Sequence, residues 1–175
     1  PSLIQKHKEM ETVIKLKKAY SAISQAYTTI LFEDNINTVQ YEYDSLIMME
    51  KFNKHLKFQK VCGYDRGCFP DVTYEQVQGG AYVNWERDNK DRTRAIMNDG
   101  TLIMFNHNTN YIFAQIYVDI NGFKGPNQLG KDFFYIYLTP DGKITPGGAP
   151  SLDGLVGRNV FKENCIKNGG YGCAA

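Results

Sequence analysis

The sequence lacks long apolar runs and a strong charge of either sign, and both absences exclude classes of protein. No stretch of about 18 apolar residues occurs, so no transmembrane helix is predicted within these 175 residues. The formal net charge is only +1, which argues against a protein dedicated to binding DNA or anionic membranes. We therefore expect no specific nucleic-acid partner.

Recognisable catalytic motifs are also missing from the chain. It contains no G-x-S-x-G, H-E-x-x-H, P-loop or Rossmann fingerprint. The three histidines, His7, His55 and His107, do not lie beside a serine or cysteine nucleophile in a known pattern. The carboxylates are scattered through predicted turns, and no pair of them stands out as an acid and a base. We expect that the protein is not an enzyme.

Tryptophan is scarce, whereas the other aromatic residues and glycine are common. One Trp stands beside 12 Tyr and 10 Phe, and the chain holds 16 Gly. Tyr and Phe favour strands and Gly favours turns, so the composition indicates a strand-containing domain rather than an all-helical bundle. The length fits one domain, or one domain that carries an extended element.

Cysteine is limited to four residues in two close pairs, Cys62 with Cys68 and Cys165 with Cys173. The spacing within each pair does not fit a typical zinc site, and four cysteines allow three disulfide connectivities. We favour the two sequential disulfides, which indicate an oxidising compartment, either extracellular or facing the periplasm. Four unrelated buried thiols are the alternative.

A long amphipathic helix is predicted from residue 2 to about residue 32. Its apolar residues recur at steps of three, four and seven, the spacing of one helical face, and neither Gly nor Pro interrupts them. These residues are Leu3, Met10, Val13, Leu16, Tyr20, Ile23, Tyr27 and Ile30. A helix of roughly 45 Å is long for a small domain, so part of it should project. We predict that Leu3, Met10 and Val13 contact another subunit, and that Tyr20 to Ile30 lies on a sheet.

Charge is segregated along the first 50 residues. Residues 1–18 hold five lysines, Lys6, Lys8, Lys15, Lys17 and Lys18, against Glu9 and Glu11. Residues 33–50 hold five carboxylates and no Lys or Arg, namely Glu33, Asp34, Glu42, Asp44 and Glu50. This segregation suits head-to-tail stacking of copies, or a helix base near anionic lipid.

A second helix is predicted from Asp44 to Lys60, with Asp44 or Ser45 as its N-cap. Its inner face is expected to carry Leu46, Met49, Phe52 and Leu56. Beyond Cys68 the pattern changes to the period of two that is typical of strands, and Asn98-Asp99-Gly100 is a strong hairpin signal. We predict strands over residues 81–86, 93–97, 101–105, 111–119 and 133–138, with residues 143–144 after the next turn. They indicate an antiparallel meander of four or five strands, followed by a glycine-rich tail from residue 146.

The loop from Val118 to Asp132 is the best candidate for a metal site. Oxygen-bearing side chains of the type that Ca²⁺ prefers surround a glycine-permitted turn. They belong to Asp119, Asn121, Asn127 and Asp132. The loop departs from the EF-hand pattern, and two nearby lysines argue against a bound cation. The alternative is a loop in which the Asn and Asp side chains bond their own backbone and no metal is bound.

Taken together, these segments resemble the bacterial type IV pilins and the related type II secretion pseudopilins. The resemblance is carried by the Pro1-Ser2-Leu3-Ile4 opening with its lysine-rich helix, by the Cys62 to Cys68 loop after a helix, by the Asn98-to-Thr101 turn and by the Asp119-to-Asp132 loop. It implies an α+β, pilin-like fold with a long N-terminal helix on a four- to five-stranded antiparallel sheet, a short second helix and disulfide-closed loops. Residues 1–32 would be the amphipathic half of the helix and residues 33–175 a β-rich head.

The resemblance also implies a function, partners and a location. The chain would be a structural subunit of a type IV pilus or a type II secretion pseudopilus, and other such subunits would be its partners. A methylated apolar half-helix would precede Pro1, anchor the precursor in the inner membrane and engage the assembly machinery there. The assembled head would be extracellular or face the periplasm, with Cys165–Cys173 enclosing an exposed region. Some pseudopilins bind calcium near the sheet. The alternative function is a minor or tip subunit that binds a surface, DNA or a secreted substrate.

Overall fold

The structure is a computed structural model that describes residues 3–35, 44–88, 90–107, 114–139 and 142–149. Its described residues form an α+β domain with two helices and one antiparallel sheet of six strands. The elements are α1 (Leu3–Glu33), α2 (Ser45–Leu56), β1 (Lys60–Gly63), β2 (Thr93–Ile96), β3 (Leu102–His107), β4 (Ala114–Asp119), β5 (Phe133–Leu138) and β6 (Ile144–Pro146). The predicted class, the long first helix and the short second helix are confirmed.

The second helix is shorter than the sequence predicts. Asp44 is its N-cap, as expected, and its carboxylate accepts a hydrogen bond of 2.8 Å from the amide of Ile47. The helix ends at Leu56 because Lys57 adopts a left-handed conformation with φ of 51°. The predicted end at Lys60 is therefore wrong. Residues 60–63 instead form the edge strand β1, which pairs with β2.

The sheet has six strands in chain order, so the predicted count of four or five is wrong. One predicted strand, residues 81–86, is also wrong. Only Ala81 forms an isolated bridge there, and the side-chain oxygen of Asn84 accepts hydrogen bonds from the amides of Glu86 and Arg87. Such a side-chain cap bends the chain into a turn and competes with strand pairing. Of the predicted strand 111–119, residues 111–113 lie outside the described residues.

The Asn98-Asp99-Gly100 turn joins β2 to β3, as predicted. Gly100 has a φ of 86°, and its amide donates to the carbonyl of Met97 at 2.9 Å. The β4–β5 loop touches this turn, because a Cβ atom on Gly122 would lie 2.9 Å from the carbonyl oxygen of Gly100. Only glycine permits that approach without a shift of the backbone.

Both faces of the sheet are buried, which gives the domain three layers. On one face α1 and α2 cover a mainly aliphatic core that contains Ile103, Phe105, Ile116, Val118 and Ile136. On the other face, residues of the segment between β1 and β2 cover an aromatic core. This second core contains Phe69, Tyr74, Trp85, Tyr117, Phe133 and Tyr135. The strands β3 and β5 are therefore buried at every position.

A disulfide joins Cys62 in β1 to Cys68 in the covering segment, with an S–S distance of 2.07 Å. The buried carboxylate of Glu86 holds the same segment, because it accepts hydrogen bonds from the amides of Gly67 and Phe69. Of the two predicted cysteine pairs, the structure contains this one. Residues 165 and 173 lie outside the described residues, so the Cys165–Cys173 disulfide stays a prediction.

Candidate functional site

The long helix α1 divides into a half that packs on the head and a half that does not. From Ala19 to Ile30, five residues are buried against the sheet and α2: Ala19, Ile23, Ala26, Tyr27 and Ile30. This agrees with the expectation that Tyr20 to Ile30 lies on the sheet, and the Tyr20 hydroxyl also donates to the carbonyl of Ile144 at 2.8 Å. By contrast, every residue from Leu3 to Glu11 is exposed.

The exposed half of α1 carries large apolar side chains. Leu3 is 88% exposed, Met10 65%, Ile14 63% and Val13 49%. Ordinary surface helices place such residues toward the core, so their exposure needs an explanation. The three residues predicted to contact another subunit, Leu3, Met10 and Val13, are all in this group. Ile14 and Ile4 belong to it as well and were missed, although Ile14 lies four residues from Met10 and so shares its face.

The apolar face rotates around α1 instead of following one line. The apolar positions chosen from the sequence average about 3.4 residues per turn, against 3.6 for a straight helix. Leu3, Met10 and Ile14 consequently lie about 140–180° around the axis from the buried Ile23. The prediction that one helical face carries all of these residues is therefore wrong. Leu3, Met10 and Ile14 therefore point away from the face of α1 that continues into the core.

A groove of about 1280 Å³ lies between the first half of α1 and the head. Leu16 and Tyr20 from the helix, and Phe134, Ile136 and Pro146 from the sheet, are among the residues that line it. The helix side of its entrance carries polar residues that include Gln5, Lys8, Glu9 and Thr12. Val13 borders this groove, whereas Leu3, Met10 and Ile14 do not.

Part of the predicted acidic segment is neutralised within the domain. Asp34 pairs with Lys51 at 2.7 Å, and Glu33 pairs with Lys54 at 2.8 Å and lies 3.2 Å from His55. The lysines of α2, which follow residue 50 in the chain, thus face the carboxylates that end α1. Asp44 and Glu50 remain exposed at the α2 end of the molecule. The acidic charge that follows α1 is therefore smaller than the sequence suggests, because α2 neutralises part of it.

The loop between β4 and β5 contains two buried carboxylates that bind loop and neighbouring groups. Asp119 accepts from the Tyr74 hydroxyl at 2.6 Å and from the amide of Asn121 at 2.9 Å. Asp132 accepts from the amides of Gln128 at 2.7 Å and Asn127 at 2.8 Å. All four carboxylate oxygens thus accept a hydrogen bond, which is the arrangement of a loop that stabilises itself.

Burial sets the ionisation of this pair. It raises the pKa of Asp119 to about 7, and the negative charge of Asp132 acts in the same direction. The hydrogen bonds from Tyr74 and from the loop amides oppose the shift. The pKa of Asp132 is raised as well, again chiefly by burial. Burial also raises the pKa of Tyr74, which therefore stays a neutral hydrogen-bond donor.

Three of the four predicted calcium ligands, Asp119, Asn121 and Asp132, use their side chains in hydrogen bonds within the protein. Asn121 donates its side-chain amide to the carbonyl of Gly125 at 2.7 Å. Asn127 has a φ of 55°, and its buried Oδ1 atom has no hydrogen-bond partner among the described residues. Within that part of the chain, no group of three or more His, Cys, Asp or Glu side chains could hold a metal ion. Tyr74, which orients Asp119, was missed because it lies 45 residues away in the chain.

Comparison with known proteins gave no relative on which to base an assignment. The chain matches no family model, no curated protein and no solved structure. Neither helix of the described ranges is both long and apolar enough to cross a bilayer. The function must therefore be argued from the site itself.

Proposed function

We propose that this chain is a structural subunit of a type IV pilus or a type II secretion pseudopilus, and that it assembles through α1. The observation that carries the proposal is the division of α1. Its second half is part of the core of the head, while the first half presents Leu3, Met10 and Ile14 to solvent. A helix whose second half is packed in the head and whose first half exposes an apolar surface can link one head to its neighbours.

The energetics of the exposed half support assembly. Full burial of a Leu, Ile or Met side chain is worth roughly 1.5–3 kcal/mol. Three or four such residues per copy, repeated along a filament, would supply a substantial driving force for association. Within one copy Leu3, Met10 and Ile14 gain no such burial, since they point away from the head. The gain comes only when another molecule covers them.

The order of the secondary-structure elements along the chain resembles that of pilins and gives the proposal weaker support. A long helix, a short helix, a cysteine loop and an antiparallel meander follow one another in this chain. Similar architectures serve different functions, so this order supports the proposal only together with the exposed helix. In the assembly we propose, other pilin or pseudopilin subunits are the partners, the heads face outward, and no catalysis is required.

The experiment compares two glutamate substitutions on the same helix. Met10→Glu places a charge in the exposed apolar surface, and Thr29→Glu places one at an exposed position in the half that packs on the head. Both are introduced into the full-length gene in the source cells, and the chain is quantified in filaments sheared from their surface. We expect Met10→Glu to reduce incorporation by at least about tenfold, the effect of losing roughly 1.4 kcal/mol per contact, and Thr29→Glu to leave it near the parental level.

The melting temperature of the purified chain should be nearly unchanged by Met10→Glu, because the Met10 side chain is 65% exposed. Equal incorporation of both variants would contradict assembly through this surface. Absence of the parental chain from any filament or pseudopilus would contradict the proposed function altogether. Antibody labelling confined to filament ends would favour the alternative of a tip subunit that acts as a binding module.

A further inference from the structure

One row of side chains on the exposed half of α1 combines apolar and basic character. Leu3, Lys6, Met10, Ile14 and Lys17 follow one another at steps of three or four residues, so they form a continuous row on the helix. We name this row the outer stripe. All five residues are exposed. Neither lysine forms an ion pair with a described residue, and the row itself contains no carboxylate.

A second surface, at the other end of the domain, combines apolar and acidic character. Ile47 is 39% exposed, Val61 45% and Tyr64 43%. Two exposed carboxylates accompany these apolar residues: Glu50, one helical turn beyond Ile47, and Asp91. We name these five residues the α2 patch.

The α2 patch is one surface and not a set of scattered residues. A Cβ atom on Gly63 would lie 4.0 Å from the Leu46 side chain, and the Thr93 hydroxyl donates to the carbonyl oxygen of Ser45 at 2.7 Å. The first turn of α2 therefore packs beside β1 and the residue that follows it. Asp91 lies two residues before Thr93 in the chain, and the Thr93–Ser45 hydrogen bond therefore places it beside the first turn of α2. Burial raises the pKa of Tyr64, and the charges of Asp44 and Asp91 act in the same direction.

We propose that the outer stripe of one copy docks on the α2 patch of a second copy. This inference rests on the proposed function and identifies the surface that receives the helix. Apolar residues meet apolar residues, and the lysines of the stripe meet Glu50 and Asp91. The two surfaces differ and lie on separate parts of the molecule, so the contact is heterologous and can repeat head to tail from copy to copy.

Charge complementarity favours a protein partner over a lipid surface. An anionic bilayer would attract Lys6 and Lys17, but so small a number of lysines gives weak binding. It would also leave the exposed apolar residues of the α2 patch uncovered. Docking between copies covers both the outer stripe and the α2 patch. The groove beside α1 is a poorer receptor for the stripe, because it offers no excess of acidic side chains. Four lysines, of which Lys17 belongs to the stripe itself, line it beside Glu9, Glu11 and Asp132.

The first experiment maps the contact by photocrosslinking. Benzoylphenylalanine replaces Ile14 in the full chain, which is mixed with an isotope-labelled copy and irradiated at about 1 mM, a concentration suited to weak contacts. Mass spectrometry then distinguishes links between copies from links within one copy. We expect the links between copies to fall in peptides that cover residues 44–64 of the partner.

The second experiment exchanges charges across the contact. Lys6→Glu and Glu50→Lys should each lower the yield of links between copies by roughly twofold to fivefold, the range of an exposed ion pair, and the double variant should restore it. Lys8→Glu is the matched control, since Lys8 is exposed on the groove side of the same helix. Its effect should be within about twofold, and the melting temperatures report whether every variant folds.

The outcomes separate this inference from the proposed function. Links between copies that map to another part of the head would overturn the docking surface and leave assembly through α1 standing. No rescue in the double variant would overturn the charge pairing in the same way. Links that vanish when phosphatidylglycerol vesicles are added, together with binding to those vesicles, would identify a membrane as the partner of the stripe. No links between copies, with the chain absent from filaments, would overturn both proposals.

Discussion

Asp119 is fully buried at the end of β4, beside a second buried carboxylate, Asp132. Its pKa of about 7 lies well above the ordinary value near 3.8, mainly because burial disfavours the charged form. Between these two pH values the folded protein holds a proton that the unfolded chain has released. A rise in pH through this window therefore favours unfolding, and the stability gained at low pH is lost as the pH passes 7.

We predict that the free energy of unfolding falls between pH 5 and pH 8, and that Asp119→Asn removes much of this fall. The effect is on the order of 3 kcal/mol, since each unit of pKa shift corresponds to about 1.4 kcal/mol. Urea unfolding at several pH values measures it. Burial lowers the pKa of His107, so this residue makes the free energy of unfolding rise with pH. It does so equally in the parental chain and in Asp119→Asn, and its contribution cancels when the two are compared.

Asp99→Asn is the matched control for this pH dependence. Asp99 has a lowered pKa, because hydrogen bonds from Thr101 and the charge of Lys18 outweigh its partial burial. It is therefore ionised throughout the range from pH 5 to pH 8. If Asp99→Asn flattened the profile as much as Asp119→Asn, the buried pair would not be its source.

The same loop makes a prediction about calcium. Each carboxylate oxygen of Asp119 and Asp132 already accepts a hydrogen bond, so we expect the loop to be stable without a metal. The melting temperature should be the same in EDTA and in excess CaCl₂. A tight site would instead add about 2.7 kcal/mol at a calcium concentration of 100 times Kd. A rise in melting temperature that Asp132→Asn abolishes would identify the loop as a calcium site.

At the scale of secondary-structure elements, α2 connects α1 to the sheet through one aromatic side chain. Phe52 is 1% exposed, stacks on Tyr27 of α1 at 6.3 Å between ring centroids and lies 5.2 Å from Phe105 of β3. The contact fixes both helices over the same face of the sheet. It also sets the direction in which α1 leaves the head.

We predict that Phe52→Ala lowers the free energy of unfolding by about 3–5 kcal/mol, because it leaves a cavity among three elements. Phe32→Ala removes the same side chain from a position that is 86% exposed, and it should change stability by less than about 0.5 kcal/mol. Urea unfolding of both variants provides the test. Similar losses in the two variants would mean that the helices do not pack on the sheet as described.

At the scale of the whole molecule, the third layer is the part with the least regular structure. The segment between β1 and β2 buries Phe69, Tyr74 and Trp85 on the sheet with few backbone pairs. The Cys62–Cys68 disulfide, the buried Glu86 and the fully buried Arg94 hold it instead. Arg94 donates to the carbonyl oxygen of Trp85 at 2.8 Å and 3.0 Å. The third layer is therefore held on the sheet by one disulfide and two buried charged side chains.

We predict that the double variant Cys62→Ala/Cys68→Ala unfolds with a free energy lower by about 2 kcal/mol, the value expected for so short a loop. The chain should remain folded, because the aromatic core persists. Denaturant unfolding measures the loss. Non-reducing peptide mapping checks the pairing, and a peptide that joins Cys62 to Cys165 or Cys173 would contradict it.

Local signals in the sequence were sufficient to predict several secondary-structure elements. The helix α1, the strand β5 and the turn at Gly100 follow from side-chain spacing and turn chemistry within a few residues. The N-cap at Asp44 was found in the same way. Elements that depend on distant partners were not found: β1 forms only because β2 pairs with it, and Tyr74 reaches Asp119 only after the third layer folds over the sheet.

The sequence by itself determined that a long helix with exposed apolar residues precedes an antiparallel meander, because helical spacing and strand alternation are local properties. Only the tertiary structure decided which side of α1 the head covers. Leu3 and Ile23 belong to the same periodic pattern, yet one is 88% exposed and the other fully buried. The pattern winds around the helix, and the sheet and α2 cover only one side of its second half. Which side is covered depends on distant contacts such as those of Phe52, and no local spacing contains that information.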